Sequence, residues 1–262
     1  MLVDTHAHLN FPDFEKDLKA VVERSLKNGV GKIICVSSSL KDSVKAVEIA
    51  QKYKGIVYAA VGIHPNQTDF QEKIPVLKQI VILKKLLKEK GVVAIGESGL
   101  DYSGVSGLEE NRNQSDQIFL FQEQIKLARE EKLPLLVHSR KALPQVLEIL
   151  TPFKGKISGA LHCYSGGKKD IQKIEEFGFY FGLDGNLTYD SGLQNVAKEI
   201  PLEKMLLETD CPFLAPEPYR GLRSEPGHVK IIAEFVAQLK QVTFKQAAQV
   251  TTQNAQKLFS KI

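Results

Sequence analysis

Eight short runs of aliphatic and β-branched residues recur along this chain, and their recurrence constrains the fold more than any other feature. They lie at 2–5, 32–37, 57–62, 92–96, 134–137, 159–162, 179–183 and 204–208. Most are continuously apolar rather than alternating, the pattern of parallel strands covered on both faces. Helical patterns fill the intervals. Phe14, Leu18, Val21, Val22 and Leu26 form an apolar stripe that halts at Asn28 and Gly29, a usual helix end. Segment 76–88 sets apolar residues against Lys84, Lys85 and Lys88, a solvated outer face. Ser115 is placed to cap a helix carrying Ile118, Phe119, Phe121 and Ile125, and 228–239 and 243–259 supply closing helices. Eight strand–helix units in series predict an α/β fold of the TIM-type (β/α)8 class rather than an open doubly wound sheet. No GxGxxG or GxxxxGK[ST] follows any run, which weakens a nucleotide-binding alternative. With 262 residues, 43% hydrophobic content and no break in composition, residues 1–262 read as one domain.

In such a barrel the C-terminal strand ends converge on one mouth, where chemistry sits. Of six histidines, five follow strand runs: His6 and His8 after the first, His64 after the third, His138 after the fifth and His162 after the sixth. Glu97 and Asp210 join them after the fourth and eighth. His6 and His8 stand two apart on an extended chain and leave it on one face, able to grip one ion or simply to form a polar strand edge. Glu97 ends a buried apolar strand, so its charge needs a metal or an ion pair. Taken singly, His138 and His162 also read as hydrogen-bonded core residues and Asp210 as a loop cap; their common placement favours a metal ring. Imidazoles and carboxylates without a thiolate set suit zinc, manganese, magnesium or similar ions. A central glutamate can bridge two such ions, the arrangement that serves phosphoryl-ester hydrolysis.

Composition narrows the setting. Three scattered cysteines with no CxxC pair suggest a reducing, cytoplasmic compartment. No apolar run approaches the ~20 residues of a membrane helix, and the N-terminus shows no signal-peptide pattern. The net charge of +4 permits a polyanionic partner without requiring one.

The motifs now assemble into a resemblance. DTHAHLN at 4–10, GIHP at 62–65, GESGLDY at 96–102, LPLLVHSR at 133–140, HCYSGG at 162–167, LLETDCPFLAP at 206–216, YRGLRSEP at 219–226 and NAQKLF at 254–259 occur in this order over nearly the whole chain. Together they resemble the TatD-type metal-dependent deoxyribonucleases of the amidohydrolase-like barrel superfamily. The resemblance implies two divalent ions. His6, His8 and Asp210 would hold one, Glu97 would bridge, and His138 with His162 would hold the second. It also implies that His64 lies near the substrate phosphate, that Asp210 positions the attacking water, and that Glu208 orients a ligand from behind. DNA is the implied substrate, including 3′-to-5′ exonuclease action on single strands, and a monomer is expected. Asn66, where a second histidine is common, and Ser224 depart from the family pattern, as do Tyr164 and Ser98. Related phosphotriesterase-like barrels bridge their metals with a carbamylated lysine on strand four; Glu97 stands there instead.

Substrate contacts are sought on the rim. Ser165-Gly166-Gly167 opens a helix at Lys168 and Lys169, an anion site or a plain glycine turn with solvated lysines. The loop at 98–114 carries Tyr102 and Arg112, and the loop at 211–227 carries Tyr219, Arg220 and Arg223, suited to phosphate contact and base stacking or to rim salt bridges. A metal-dependent amide or ester hydrolase acting on a small metabolite or an aminoacyl adduct is the alternative activity; a barrel kept only for binding is the third reading.

Overall fold

The computed structural model describes residues 1–67, 75–103 and 114–262. Eight strands follow one another in a single parallel sheet: β1 (Leu2–Ala7), β2 (Val30–Val36), β3 (Val57–Val61), β4 (Val92–Asp101), β5 (Leu135–Arg140), β6 (Gly159–Leu161), β7 (Tyr180–Leu183) and β8 (Met205–Leu207). Helices separate them: α1 (Leu18–Lys27), α2 (Leu40–Lys52), α3 (Val76–Leu86), α4 (Gln114–Glu131), α5 (Leu143–Leu150), α6 (Lys168–Glu176) and α7 (Ser191–Ala197). After β8 come α8 (Val229–Lys240) and α9 (Phe244–Leu258). The sheet curls until β1 meets the chain leaving β8. The His8 amide donates to the Cys211 carbonyl (2.8 Å) and the Asp210 amide to the His6 carbonyl (2.9 Å). This is the TIM-type barrel the strand runs imply.

Strand alternation sorts the core into two parts. Val3, Ile34, Val36, Ala60, Ala94, Leu136, Ala160 and Leu206 fill the barrel interior, closed at one end by Ala255, Leu258 and Phe259. The opposite faces, with Ile33, Cys35, Ala59, Val61, Leu135 and Val137, pack against the helices. Both faces being dry explains the unbroken apolar runs, and each fully buried large side chain contributes about 1.5–3 kcal/mol.

The alternation also decides which polar residues reach the mouth. His138 shares parity with the interior Leu136, His162 with Ala160, His64 with Ala60, and Asp210 with Leu206. His6, His8 and Glu97 do not: by parity with Val3 and Ala94 they would face outward. Pairing registers resolve this. Between Asp4 and Ala7, β1 uses three residues where β2 uses two, and between Ile95 and Ser98, β4 does the same against β5. Each extra residue reverses the facing of the positions beyond it.

Several boundaries differ from the sequence reading. Residues 98–101 continue β4 rather than starting a loop, and Arg112 lies outside the described residues. Ser115 sits inside α4, which begins at Gln114. Phe14 belongs to a 3-10 turn (Pro12–Phe14), and Leu26 is exposed. Among the described residues no helix is long and apolar enough to cross a membrane.

Candidate metal centre

Every histidine and carboxylate of the sequence-derived ring reaches one cavity of about 620 Å³ at the C-terminal strand ends or packs directly behind it. Glu97 stands at the centre and its two oxygens face two different groups. Around Oε2 lie His6 Nε2 and His8 Nε2, each at 3.7 Å. The two nitrogens are 3.3 Å apart, and Asp210 Oδ1 is 3.7 Å from His6 Nε2 and 3.2 Å from His8 Nε2. Around Oε1 lie His138 Nδ1 at 2.7 Å and His162 Nε2 at 2.8 Å, themselves 3.4 Å apart. His64 Nε2 approaches the same oxygen at 3.6 Å.

These spacings fit cations. Donors about 2.1 Å from a tetrahedral ion lie roughly 3.4 Å from one another, and the first group brackets that value. The second group is tighter, with both imidazoles at hydrogen-bond distance from Oε1, and it offers three protein donors. Among the described residues no lysine or arginine enters either group to balance their carboxylates.

Hydrogen bonds set which ring nitrogen carries the proton. His8 Nδ1 donates to the Val36 carbonyl at 3.0 Å, so Nε2 turns a lone pair to the centre. His64 is the reverse: its Nδ1 accepts the Asn66 amide at 3.0 Å, so the neutral ring presents an N–H from Nε2. Burial holds His64 neutral, with its pKa depressed to about 3. His64 is therefore a donor toward the cavity, whereas His8 turns a lone pair to it. Burial also lowers His6, reinforced by the adjacent His162, whose ring stacks on it at 3.9 Å. Burial alone would raise Glu97, but His162, His64 and His138 hold it well below the ordinary carboxylate range.

Behind the second group stand two carboxylates. Glu208 Oε1 lies 3.5 Å from His162 Nδ1 and accepts the Cys163 amide at 2.6 Å. A Cβ at Gly182 would occupy that carboxylate's place, so glycine keeps the space open. Asp101 Oδ2 lies 3.4 Å from His138 Nε2, outside hydrogen-bond geometry, and both atoms are buried without another partner. The other Asp101 oxygen accepts from the Ser103 amide (2.9 Å) and hydroxyl (2.6 Å), while Gln117 pins its main chain. Gly99, at φ 152°, lets β4 run against the His138 carbonyl where any Cβ would collide. Asp101 was missed in the sequence, although it stands four residues after Glu97, the same-face spacing on a strand.

At the rim the structure shows the salt-bridge alternative for Arg223 and engages the other cations as well. Arg223 pairs with Asp17 at 2.7 Å and Glu225 at 2.9 Å; Arg220 lies over the Tyr189 ring at 4.1 Å; Lys168 pairs with Glu199 at 2.8 Å. None of the three lines the cavity. Tyr102 donates to Gln145, and Tyr219 stacks on His228. The cavity wall is made instead by shorter side chains near the strand ends, together with Phe11, Arg140 and Phe213. Cys163, Asp210 and Leu214 hold positive φ of 44°, 50° and 50° and all line it, backbone strain of the kind that gathers at functional sites.

An eight-stranded barrel with a histidine–carboxylate cluster at its strand ends defines the class of metal-dependent hydrolases. Comparison specifies the family: residues 3–260 match the model of the TatD related DNase family, and the chain belongs to it. It is 37% identical to the uncharacterized metal-dependent hydrolase YabD of Bacillus subtilis, over 99% of both chains. It is 32% identical to deoxyribonuclease TATDN3 of Homo sapiens, over 100% of this chain and 95% of that one. The TatD homologue YjjV of Escherichia coli superposes with a TM-score of 0.88 at 28% identity, covering 99% and 98% of the two chains.

Proposed function

We propose that the chain is a two-metal phosphodiesterase acting on DNA. The observation that carries this is Glu97, whose two oxygens each face a separate donor group within one cavity. His6, His8 and Asp210 would hold one divalent ion, His138 and His162 the other, with Glu97 between; zinc, manganese and magnesium all suit the donors. Bound ions would supply Lewis acidity, lowering the pKa of water and neutralising charge that develops on phosphate oxygens.

The chain's own groups do the rest. Asp210 orients the attacking water and takes up its proton, a role open to it because only Oδ1 faces the two histidines. His64 donates its Nε2 proton in a hydrogen bond to a phosphate oxygen, and burial keeps it neutral for that purpose. Glu208 and Asp101 steady His162 and His138 from behind. Nucleic acid as substrate draws support from the relative named a deoxyribonuclease.

The test uses metal-loaded protein with end-labelled single- and double-stranded DNA across Mg, Mn and Zn. Glu97→Gln should lower cleavage by roughly 10³-fold or more. Equal activity in the variant rejects the mechanism. Metal-dependent hydrolysis of a neutral ester or amide with DNA left intact rejects the substrate.

A further inference from the structure

The cavity wall is unequal on its two sides. Beside the first donor group the Phe11 ring stacks on His8, with centroids 4.5 Å apart and planes at 15°. Phe213 meets Phe11 edge-on at 6.2 Å and 75°, and remains 52% exposed at the mouth. Its place is not incidental. The Phe213 amide donates to the Asp210 carbonyl at 3.0 Å, so one tight turn fixes the carboxylate and the ring at a set offset. Phe11 follows β1 and Phe213 follows β8, which are neighbours at the barrel seam.

Across the ring of strands from β1 stands β5, which ends at Arg140. Arg140 is the only lysine or arginine among the described residues lining the cavity. It shares parity with His138, two residues earlier, and among the described residues its guanidinium forms no ion pair. An exposed aromatic face on one side and an uncommitted guanidinium on the other, with the carboxylate-rich centre between, make a surface that distinguishes the parts of a nucleotide. Bases stack on aromatic rings whatever their sequence, and guanidinium grips phosphate through paired N–H donors.

We infer that the cavity is a two-part cradle: the nucleobase beside the scissile phosphate lies on the exposed Phe213 ring, which Phe11 buttresses edge-on, and the next phosphate along the strand is held by Arg140. This rests on the phosphodiesterase reading and adds to it which side of the cavity takes the base and which takes the neighbouring phosphate. It also assigns an anion contact to Arg140, which lines the cavity where Arg220, Arg223 and Lys168 do not.

The experiment measures steady-state cleavage by wild type, Phe213→Ala, Phe213→Leu and Arg140→Ala. Three substrates are used: a single-stranded oligodeoxynucleotide, the same strand with an abasic residue at the cleaved nucleotide, and a dinucleoside monophosphate. Phe213→Ala should raise KM about tenfold on the normal strand with kcat nearly unchanged, and Phe213→Leu should fall between. On the abasic strand wild type and Phe213→Ala should converge. Arg140→Ala should lose about tenfold on the oligonucleotide and little on the dinucleoside monophosphate, which has no second phosphate. A 2-aminopurine at the cleaved position should be quenched on binding wild type and less so on binding Phe213→Ala. Wild-type cleavage with variants unaffected, or affected equally on all three substrates, overturns the cradle alone. Failure of wild type to cleave any DNA substrate overturns the phosphodiesterase reading and the cradle with it. Thermal melting of each variant confirms the fold, and Phe213, half exposed, is a mild site to truncate.

Discussion

The two donor groups that share Glu97 are held in place by different means. In the first, at the β1–β8 seam, main-chain atoms do much of the orienting: Val36 fixes the His8 tautomer, and the His6 carbonyl receives the Asp210 amide. In the second, at β5 and β6, buried carboxylates stand behind the histidines, Asp101 behind His138 and Glu208 behind His162. A carbonyl dipole sets geometry without adding net charge. A carboxylate adds net charge as well, and a metal-ligating ring backed by one has a more basic lone pair, so at such a site ion affinity is adjustable by side-chain replacement. The first group is thus oriented largely by main-chain atoms, and the second is backed by buried carboxylates.

This contrast can be broken by substitution. The largest effect is expected at Asp210, the one carboxylate exclusive to the first group. Asp210→Asn should cut kcat/KM by about 10²–10⁴-fold, as loss of a proton acceptor does, while a tight-binding ion is still retained at the second group. Loss of both ions on titration would show that the groups are not separable.

Next come the carboxylates behind the second group. Asp101→Asn should weaken one ion by roughly 10–100-fold and leave the other unchanged. Equilibrium dialysis would show two binding steps drawn further apart. If both steps weaken equally, Asp101 acts on the barrel as a whole and the contrast fails.

The smallest effect is expected far from the centre. Arg223 holds the pKa of Asp17 down to about 2 from 3.8, so their pair stabilises the folded state above about pH 4 and loses that contribution as pH falls through 2. Both groups are partly solvated, which limits the pair to at most about 1 kcal/mol. Arg223→Ala should lower the denaturation midpoint slightly at pH 6, with the difference shrinking toward pH 2, and should change DNA cleavage less than twofold. A tenfold loss of cleavage would return Arg223 to the substrate.

Much of this was visible in the residues. Continuous apolar runs announced strands buried on both faces, and polar residues immediately beyond them marked the mouth. His138, His162 and Asp210 could be placed by counting, because each keeps the parity of an interior residue before it. Asp101 and Arg140 were equally countable, standing at same-face spacings from Glu97 and His138, yet they lay hidden because the strands run farther than their apolar cores suggest. The partners of the rim residues were not legible, for another reason. An arginine in a loop has enough reach to pair with whatever carboxylate folds beside it, and no spacing rule says which one.

What the sequence determined unaided is therefore the order and burial of the strands and the identity of the groups delivered to their ends. Facing was decided only by tertiary pairing at β1 and β4, where one extra residue against a neighbour turns His6, His8 and Glu97 inward. Register belongs to two strands at once, so no single segment encodes it. The same holds for His64 and His8, identical side chains made donor and acceptor toward the cavity by the main-chain groups that happen to meet them.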